Sequence, residues 1–232
     1  MTGSVPERSE IAQLADPLGW RLILGALITH VPVSSLTAAV HAAGVAVHAA
    51  GAEGAGHLTA DLHADRVVFR LHTLAINAVT GMDLRLASQV SAALAEHGLR
   101  TQPGDAAAAP QLMEIAIDAM DIPAIRPFWQ AVTGYDNDPC TAPYPMDLPD
   151  NALLDPLRRG PAIWFQQMEV PRPQRNRIHL DVDVPVELAG ARINAALAAG
   201  GILRSDAAAP AFWVLADVEG NEVCICTWQG RD

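Results

Sequence analysis

A chain of 232 residues, half of them hydrophobic, can bury one large core or two small ones, and two domains is the more economical expectation. The formal net charge is −11 and all 15 basic residues are arginine, with no basic cluster; this removes the counterion release that drives nucleic-acid binding and disfavours anionic membrane surfaces. No stretch reaches the ~18 uninterrupted apolar residues of a membrane helix, and the opening MTGSVPERSE has no basic region followed by an apolar one, so a soluble cytoplasmic protein is expected.

The absence of lysine and the abundance of alanine read as the product of a GC-rich bacterial genome. Cys140, Cys224 and Cys226 make an odd count without a secretion signal, which argues for free thiols rather than a disulfide framework.

In chain order, an apolar run from Trp20 to Val31 leads into an alanine-rich helical stretch, Val33 to Ala50. A strand follows over Arg66 to His72, then a second helix over Met82 to His97. Thr80 or Asp83 can satisfy the free amides at that helix start, and Leu84, Ala87, Val90, Ala93 and Leu94 recur at helical spacing as its core face. The pattern is two long helices against one sheet.

The segment from Gly56 to Ala87, with His57, the strand Arg66-Val-Val-Phe-Arg-Leu71 and Asp83-Leu-Arg-Leu-Ala87, is similar without gaps to the pterin-4a-carbinolamine dehydratase family. That family carries His-His-Pro-Asp before the strand, another histidine at the strand's end and Arg-Asp at the start of the last helix. The matching positions here read Gly56-His57-Leu58-Thr59, Leu74 and Met82-Asp83, so His57 and Asp83 alone are retained. Dehydrating a carbinolamine needs proton donors and acceptors on both sides of the departing hydroxyl, which one imidazole rarely supplies. The resemblance therefore implies a degenerate domain, with His57 either a remnant catalytic base or a polar loop residue. It also implies a dimerisation or lid role, and a homodimer. His63 and His72 near the same strand lack the short regular spacing of a zinc site.

Apolar periodicity stops over QPGDAAAAP, Gln102 to Pro110, which places a linker there and divides the chain into domains 1–104 and 111–232.

Beyond the linker one plan occurs twice. Met113 to Asp118 is a strand, Ile122 to Thr133 a helix closed by Gly134, and Ala162 to Gln167 a strand; Arg177 to Asp183 is a strand, Val186 to Ala199 a helix closed by Gly200-Gly201, and Ala211 to Ala216 and Glu222 to Trp228 are strands. Strand alternation sorts Ile115, Ile117, Ile163, Phe165, Ile178, Leu180, Val182, Val184, Val223 and Ile225 onto one face, beneath the helices. The other face collects Glu114, Ala116, Asp118, Trp164, Gln166, Arg177, His179, Asp181, Asp183, Cys224, Cys226 and Trp228. Cysteine and tryptophan prefer burial, so this mixed face reads as the lining of a pocket rather than a solvated surface. The proline-rich stretch from Asp136 to Arg159 is either a cap over that pocket or a solvated insertion.

Phe128-Trp129 in the first helix, Arg175-Asn-Arg-Ile-His-Leu-Asp181, and Ala216-Asp-Val-Glu-Gly-Asn-Glu-Val-Cys224 with its tight turn at Gly220-Asn221 together resemble the glyoxalase-like branch of the vicinal-oxygen-chelate (VOC) superfamily. The fold class expected is α+β: an α/β layer domain followed by a domain of two βαβββ units. In metal-dependent members of that superfamily, four strand positions bind a divalent ion. The corresponding residues here are Glu114, Gln166, His179 and Cys224, where the last replaces the usual glutamate. No cofactor is the first reading and a divalent metal the alternative, zinc being the ion that accepts a thiolate.

Without metal, His179 flanked by Glu114 or Asp181 is the candidate general acid and base, with His57 as a further candidate in the first domain. Trp129, Trp164, Gln166, Cys224 and Cys226 then line the pocket, where Trp164 and Trp129 exclude water. The expected function is acid/base chemistry of the lyase, isomerase, dehydratase or cyclase type on an oxygenated small molecule, such as a natural product. The alternatives are a non-catalytic binding or antibiotic-sequestering protein, a metal-dependent glyoxalase or dioxygenase, and a true pterin carbinolamine dehydratase.

Overall fold

A computed structural model describes residues 5–104, 110–139, 152–172 and 174–230. The chain divides into two compact units, the first running to Leu112 and the second beginning at Met113. Among the described residues no helix is long and apolar enough to cross a membrane.

The first unit contains α1 (Arg8–Ala15), β1 (Arg21–Ile23), β2 (Ala26–Pro32), α2 (Leu36–Ala50), β3 (Leu58–Leu62), β4 (Arg66–Leu71) and α3 (Gly81–Glu96). Its strands form one antiparallel sheet in the order β1-β2-β4-β3. Alternation on β4 buries Val67, Phe69 and Leu71 against Ala39, Ala42, Ala46 and Ala50 of α2 and Leu86, Val90 and Leu94 of α3. Alanine at every buried position of α2 lets that helix approach the sheet closely. The apolar run from Trp20 is two strands rather than one, because the chain reverses at Gly25, whose φ is 72°. Helix α2 starts at Leu36 instead of Val33, where the Ser35 hydroxyl accepts the Ala38 N–H at 3.1 Å. Two elements were not foreseen. Helix α1 buries only Ile11 and Ala15, and β3 is an edge strand whose residues Thr59 to Leu62 are all exposed, so neither shows strong periodicity.

The second unit repeats one order of elements. The first copy is β5 (Glu114–Ala119), α4 (Ile122–Thr133), β6 (Asp136–Asn137), β7 (Ala152–Leu154) and β8 (Ala162–Gln167); the second is β9 (Leu180–Asp183), α5 (Val186–Ala198), β10 (Ile202–Ser205), β11 (Phe212–Ala216) and β12 (Glu222–Cys226). Each copy forms a four-stranded sheet, β5-β8-β7-β6 and β9-β12-β11-β10, in which the first and last strands run parallel and the other pairs antiparallel. Both are therefore βαβββ units.

The faces divide by alternation. Ile117, Ile163, Phe165, Val223 and Ile225 are buried, with Ile115, Leu180, Val182 and Val184 packed against them, under Ile125, Phe128 and Val132 of α4 and Ala189 and Ala196 of α5. The Phe128 ring lies so close to Gly201 that a Cβ there would sit 2.5 Å from it, which explains the second glycine after α5. Two expectations need correction. Ile178 is 81% exposed and outside the core, because β9 begins only at Leu180. The stretch from Asp136 to Arg159 is not wholly irregular: its ends pair as β6 and β7. Residues 140–151, with Cys140 and the proposed cap, lie outside the described residues. Strand β10 was also not foreseen, since all four of its residues are exposed.

Candidate functional site on the mixed face

Strand register fixes which side chains are neighbours, because paired residues on adjacent strands point to the same side. In the second copy Val214, Cys224 and Asp181 form one row, and Phe212, Cys226 and Asp183 the next. His179, two residues before Asp181, precedes β9 and keeps to the same side, with its Nε2 3.4 Å from Asp181 Oδ1. The donor atoms of His179, Asp181 and Cys224 all lie within 4.8 Å of one another. His179 and Asp181 are about half exposed, while Cys224 is buried in the middle of its sheet.

The first copy has the same rows with different residues. Ala152, Trp164 and Ala116 share one, Glu114 pairs with Ala162, and Gln166 pairs with Asp118. Superposing the buried positions of the copies, Ile115 on Leu180 and Ile163 on Val223, sets Glu114 against His179, Ala116 against Asp181, Trp164 against Cys224 and Gln166 against Cys226. Gln166 therefore stands four strand residues beyond the Glu114 row, roughly 13 Å along the sheet. The four positions expected to share an ion are not gathered. His179 and Cys224 come together with Asp181, whereas Glu114 is outside that group and Gln166 is in the row of Asp118.

Trp129 is also displaced from its expected role. It is 2% exposed beneath the helices, where its indole N–H donates to Asp217 Oδ2 at 3.0 Å, so it belongs to the core rather than to the mixed face. Asp217 is fully buried and also accepts the N–H groups of Glu219 and Asn221 through its other oxygen, closing the turn in which Gly220 adopts φ 90°. Trp164 is half-buried on the mixed face, Cys226 is 1% exposed, and Trp228 lies beyond β12 with 68% of its surface exposed. Cys224 and Cys226 are free thiols.

Burial pushes the Cys224 thiol up to about 12, reinforced by its hydrogen bond to Asp181 and by the nearby Asp181, Cys226 and Glu222 charges. It is thus a neutral thiol at ordinary pH, a hydrogen-bonding wall rather than a nucleophile. Glu222 is held below the usual carboxylate range, first by its hydrogen bond to Arg175, whose Nε and Nη2 reach one carboxylate oxygen at 2.9 and 2.5 Å. Glu222 has the parity of Cys224 and Cys226 in β12, which was the available signal for placing it on this face.

In the first unit, His57 and Asp83 do meet. His57 Nδ1 is 2.8 Å from Asp83 Oδ1, and Asp83 is fully buried, its other oxygen accepting from Thr73 Oγ1 at 2.8 Å and from the Thr80 N–H at 2.7 Å. The capping box that starts α3 therefore also fixes the imidazole of His57.

Residues 114–226 match the model of the family described as "Glyoxalase-like domain". Residues 114–226 of the second unit thus carry a glyoxalase-like domain. No curated protein matches the chain. Solved structures similar to the chain include a glyoxalase/bleomycin resistance protein/dioxygenase family enzyme from Burkholderia phytofirmans, 21% identical over 51% of this chain and 98% of that one, with a TM-score of 0.40. The fosfomycin resistance protein FosX from Mesorhizobium loti is 10% identical over 51% of this chain and 92% of that one, also at 0.40. FosX from Listeria monocytogenes, in a complex with Mn(II) and sulfate ion, is 12% identical over 52% and 91%, at 0.39.

Proposed function

We propose that the glyoxalase-like domain binds a small oxygenated metabolite on its mixed face and transfers a proton with His179, in a reaction of the lyase or isomerase type. The observation that carries this reading is the convergence of His179 and Asp181 beside Cys224 on the mixed face. Asp181 holds the ring through Nε2, which leaves Nδ1 to take a proton from a carbon or hydroxyl of the substrate; the carboxylate then stabilises the imidazolium until the proton is returned. Trp164 offers a flat apolar wall, and the neutral Cys224 thiol adds no charge of its own beside Asp181. Glu114 flanks the equivalent position of the other copy as a binding group.

The test is solvent deuterium incorporation into a pool of oxygenated small metabolites incubated with the protein in D2O, read by mass spectrometry. Incorporation that disappears in His179→Gln supports the reading. Tight binding of a pool member without any exchange or turnover refutes it and leaves a sequestering protein.

A second reading follows from the same three residues. Imidazole, carboxylate and thiol within 4.8 Å match the donor set of a zinc ion with an open fourth position. His179, Asp181 and Cys224 would hold the ion, which supplies Lewis-acid polarisation of a substrate oxygen. Elemental analysis of the purified protein, with loss of the metal in Cys224→Ser, decides between the two.

We further infer that the first unit is a degenerate pterin-4a-carbinolamine dehydratase-like domain, from residue 1 to the linker at 105–110, that supports a homodimer. The His57–Asp83 pair supports the resemblance. The missing second histidine argues against turnover of a carbinolamine there.

A further inference from the structure

The register of β10, an edge strand of the second copy, is broken at one residue. Leu203 pairs with Leu215 and Ser205 with Val214, so Arg204 is an inserted residue that shares with Ser205 the place opposite Val214. That row continues through Cys224 to Asp181. A bulge of this kind bends its strand and re-aims a side chain, and here the side chain is a guanidinium. Arg204 Nη2 lies 4.0 Å from where a Cβ on Gly220 would stand, in the turn before Glu222. Val223 pairs with Leu180 in parallel register, so Glu222 and His179 stand one step further toward that same end of the sheet. The Glu222 carboxyl registers this arrangement: its hydrogen bond to Arg175 is the first cause that holds it low, and the charges of Arg204 and His179 add to it.

Glu222 is engaged by Arg175, and Asp181 by His179 and the Cys224 thiol. Arg204 lends Glu222 only its charge; among the described residues its guanidinium makes no hydrogen bond and no ion pair. We propose that the substrate of this domain is a small organic acid whose carboxylate is held by Arg204 while its oxygenated carbon faces His179. This assignment of substrate class rests on the mixed face of the second copy being the binding site. The planar guanidinium fork matches a carboxylate with two parallel hydrogen bonds. Asp181 and Asp183 stand at the opposite end of their rows, on β9, and repel a carboxylate there. Attraction at β10 and repulsion at β9 together fix which end of the molecule meets the imidazole. The rows cross strands about 4.8 Å apart, an interval that a ligand of a few carbons can span once the long arginine side chain leans inward.

The probes are glycolate and lactate, each set against its neutral amide, titrated into the full chain and followed through the Arg204 side-chain and His179 ring signals in NMR spectra. Both acids are expected to shift both signals and to bind at least ~10-fold more tightly than their amides. Arg204→Gln is expected to abolish the preference for the acid. Arg204→Lys should keep part of it, since the ammonium retains the charge without the fork. Arg100→Gln, at an exposed arginine of the first unit, should leave it unchanged. Acids and amides that bind alike, a preference that survives Arg204→Gln, shifts confined to Arg204, or no shift at either residue overturns the proposal. The readout needs no turnover. Arg204-dependent acid binding without any deuterium exchange would sink proton transfer by His179 and leave this assignment standing.

Discussion

The two βαβββ copies of the glyoxalase-like domain share topology, register and an apolar face, and they differ on the other face. Where the first copy has Glu114, Ala116 and Trp164, the second has His179, Asp181 and Cys224 at the equivalent places. Packing under the helices constrains one side of each strand and leaves the opposite side free to vary, because neighbouring strand residues never compete for the same volume. A duplicated frame can therefore keep its fold while one copy acquires a proton-transfer centre and the other a binding wall.

The largest expected effect tests that asymmetry directly. His179→Ala should lower turnover by about 10²–10⁴-fold, the usual contribution of a positioned general acid or base, whereas Glu114→Ala should alter substrate affinity with little change in kcat. Equal losses of kcat in the two variants would mean that the copies contribute alike, and the comparison would fail.

The apolar faces should behave in the opposite way, with both copies equally sensitive. Leu215→Ala and Leu153→Ala each truncate a fully buried leucine in the shared domain and should cost about 2–5 kcal/mol in urea unfolding. Trp129→Phe is milder. It keeps an aromatic ring but loses the pyrrole half of the indole with its donor to Asp217, leaving a buried carboxylate short of one partner, and should cost about 1–3 kcal/mol.

The division into helix-facing and mixed faces was legible from strand alternation, since the buried and partly buried apolar set under α4 and α5 contains the isoleucines, valines and phenylalanine assigned to it, apart from Ile178. Register was not legible, because sequence does not say how far one strand slides along another. The β5–β8 pairing puts Trp164, not Gln166, in the place equivalent to Cys224, a difference of one alternation step. Trp129 was misplaced for another reason: a tryptophan at helical spacing reads equally as core or as pocket wall until its indole N–H is seen to meet Asp217. Edge strands β3 and β10 escaped notice because exposed residues on both faces leave no alternation to read.

The smallest effect sharpens the comparison where the copies do agree, at the turns before their last strands. Asp155 accepts the N–H groups of Leu157, Arg159 and Gly160 at 2.8–2.9 Å, as Asp217 accepts those of Glu219 and Asn221 at 3.0 and 2.9 Å. Burial works to raise the pKa of Asp155, but the three backbone donors and the Arg159 charge outweigh it, so its carboxyl stays below the ordinary carboxylate range. A carboxyl whose folded value is depressed stabilises the fold above its unfolded value and loses that contribution as pH falls through the folded one. Asp155→Asn should therefore lower stability at neutral pH by about 0.5–1.5 kcal/mol, and the gap to the natural chain should close as the solution is acidified below the usual carboxylate range. Urea melts across that interval measure it; a gap that stays constant in acid would show that the side chain's shape, and not its charge, holds the turn.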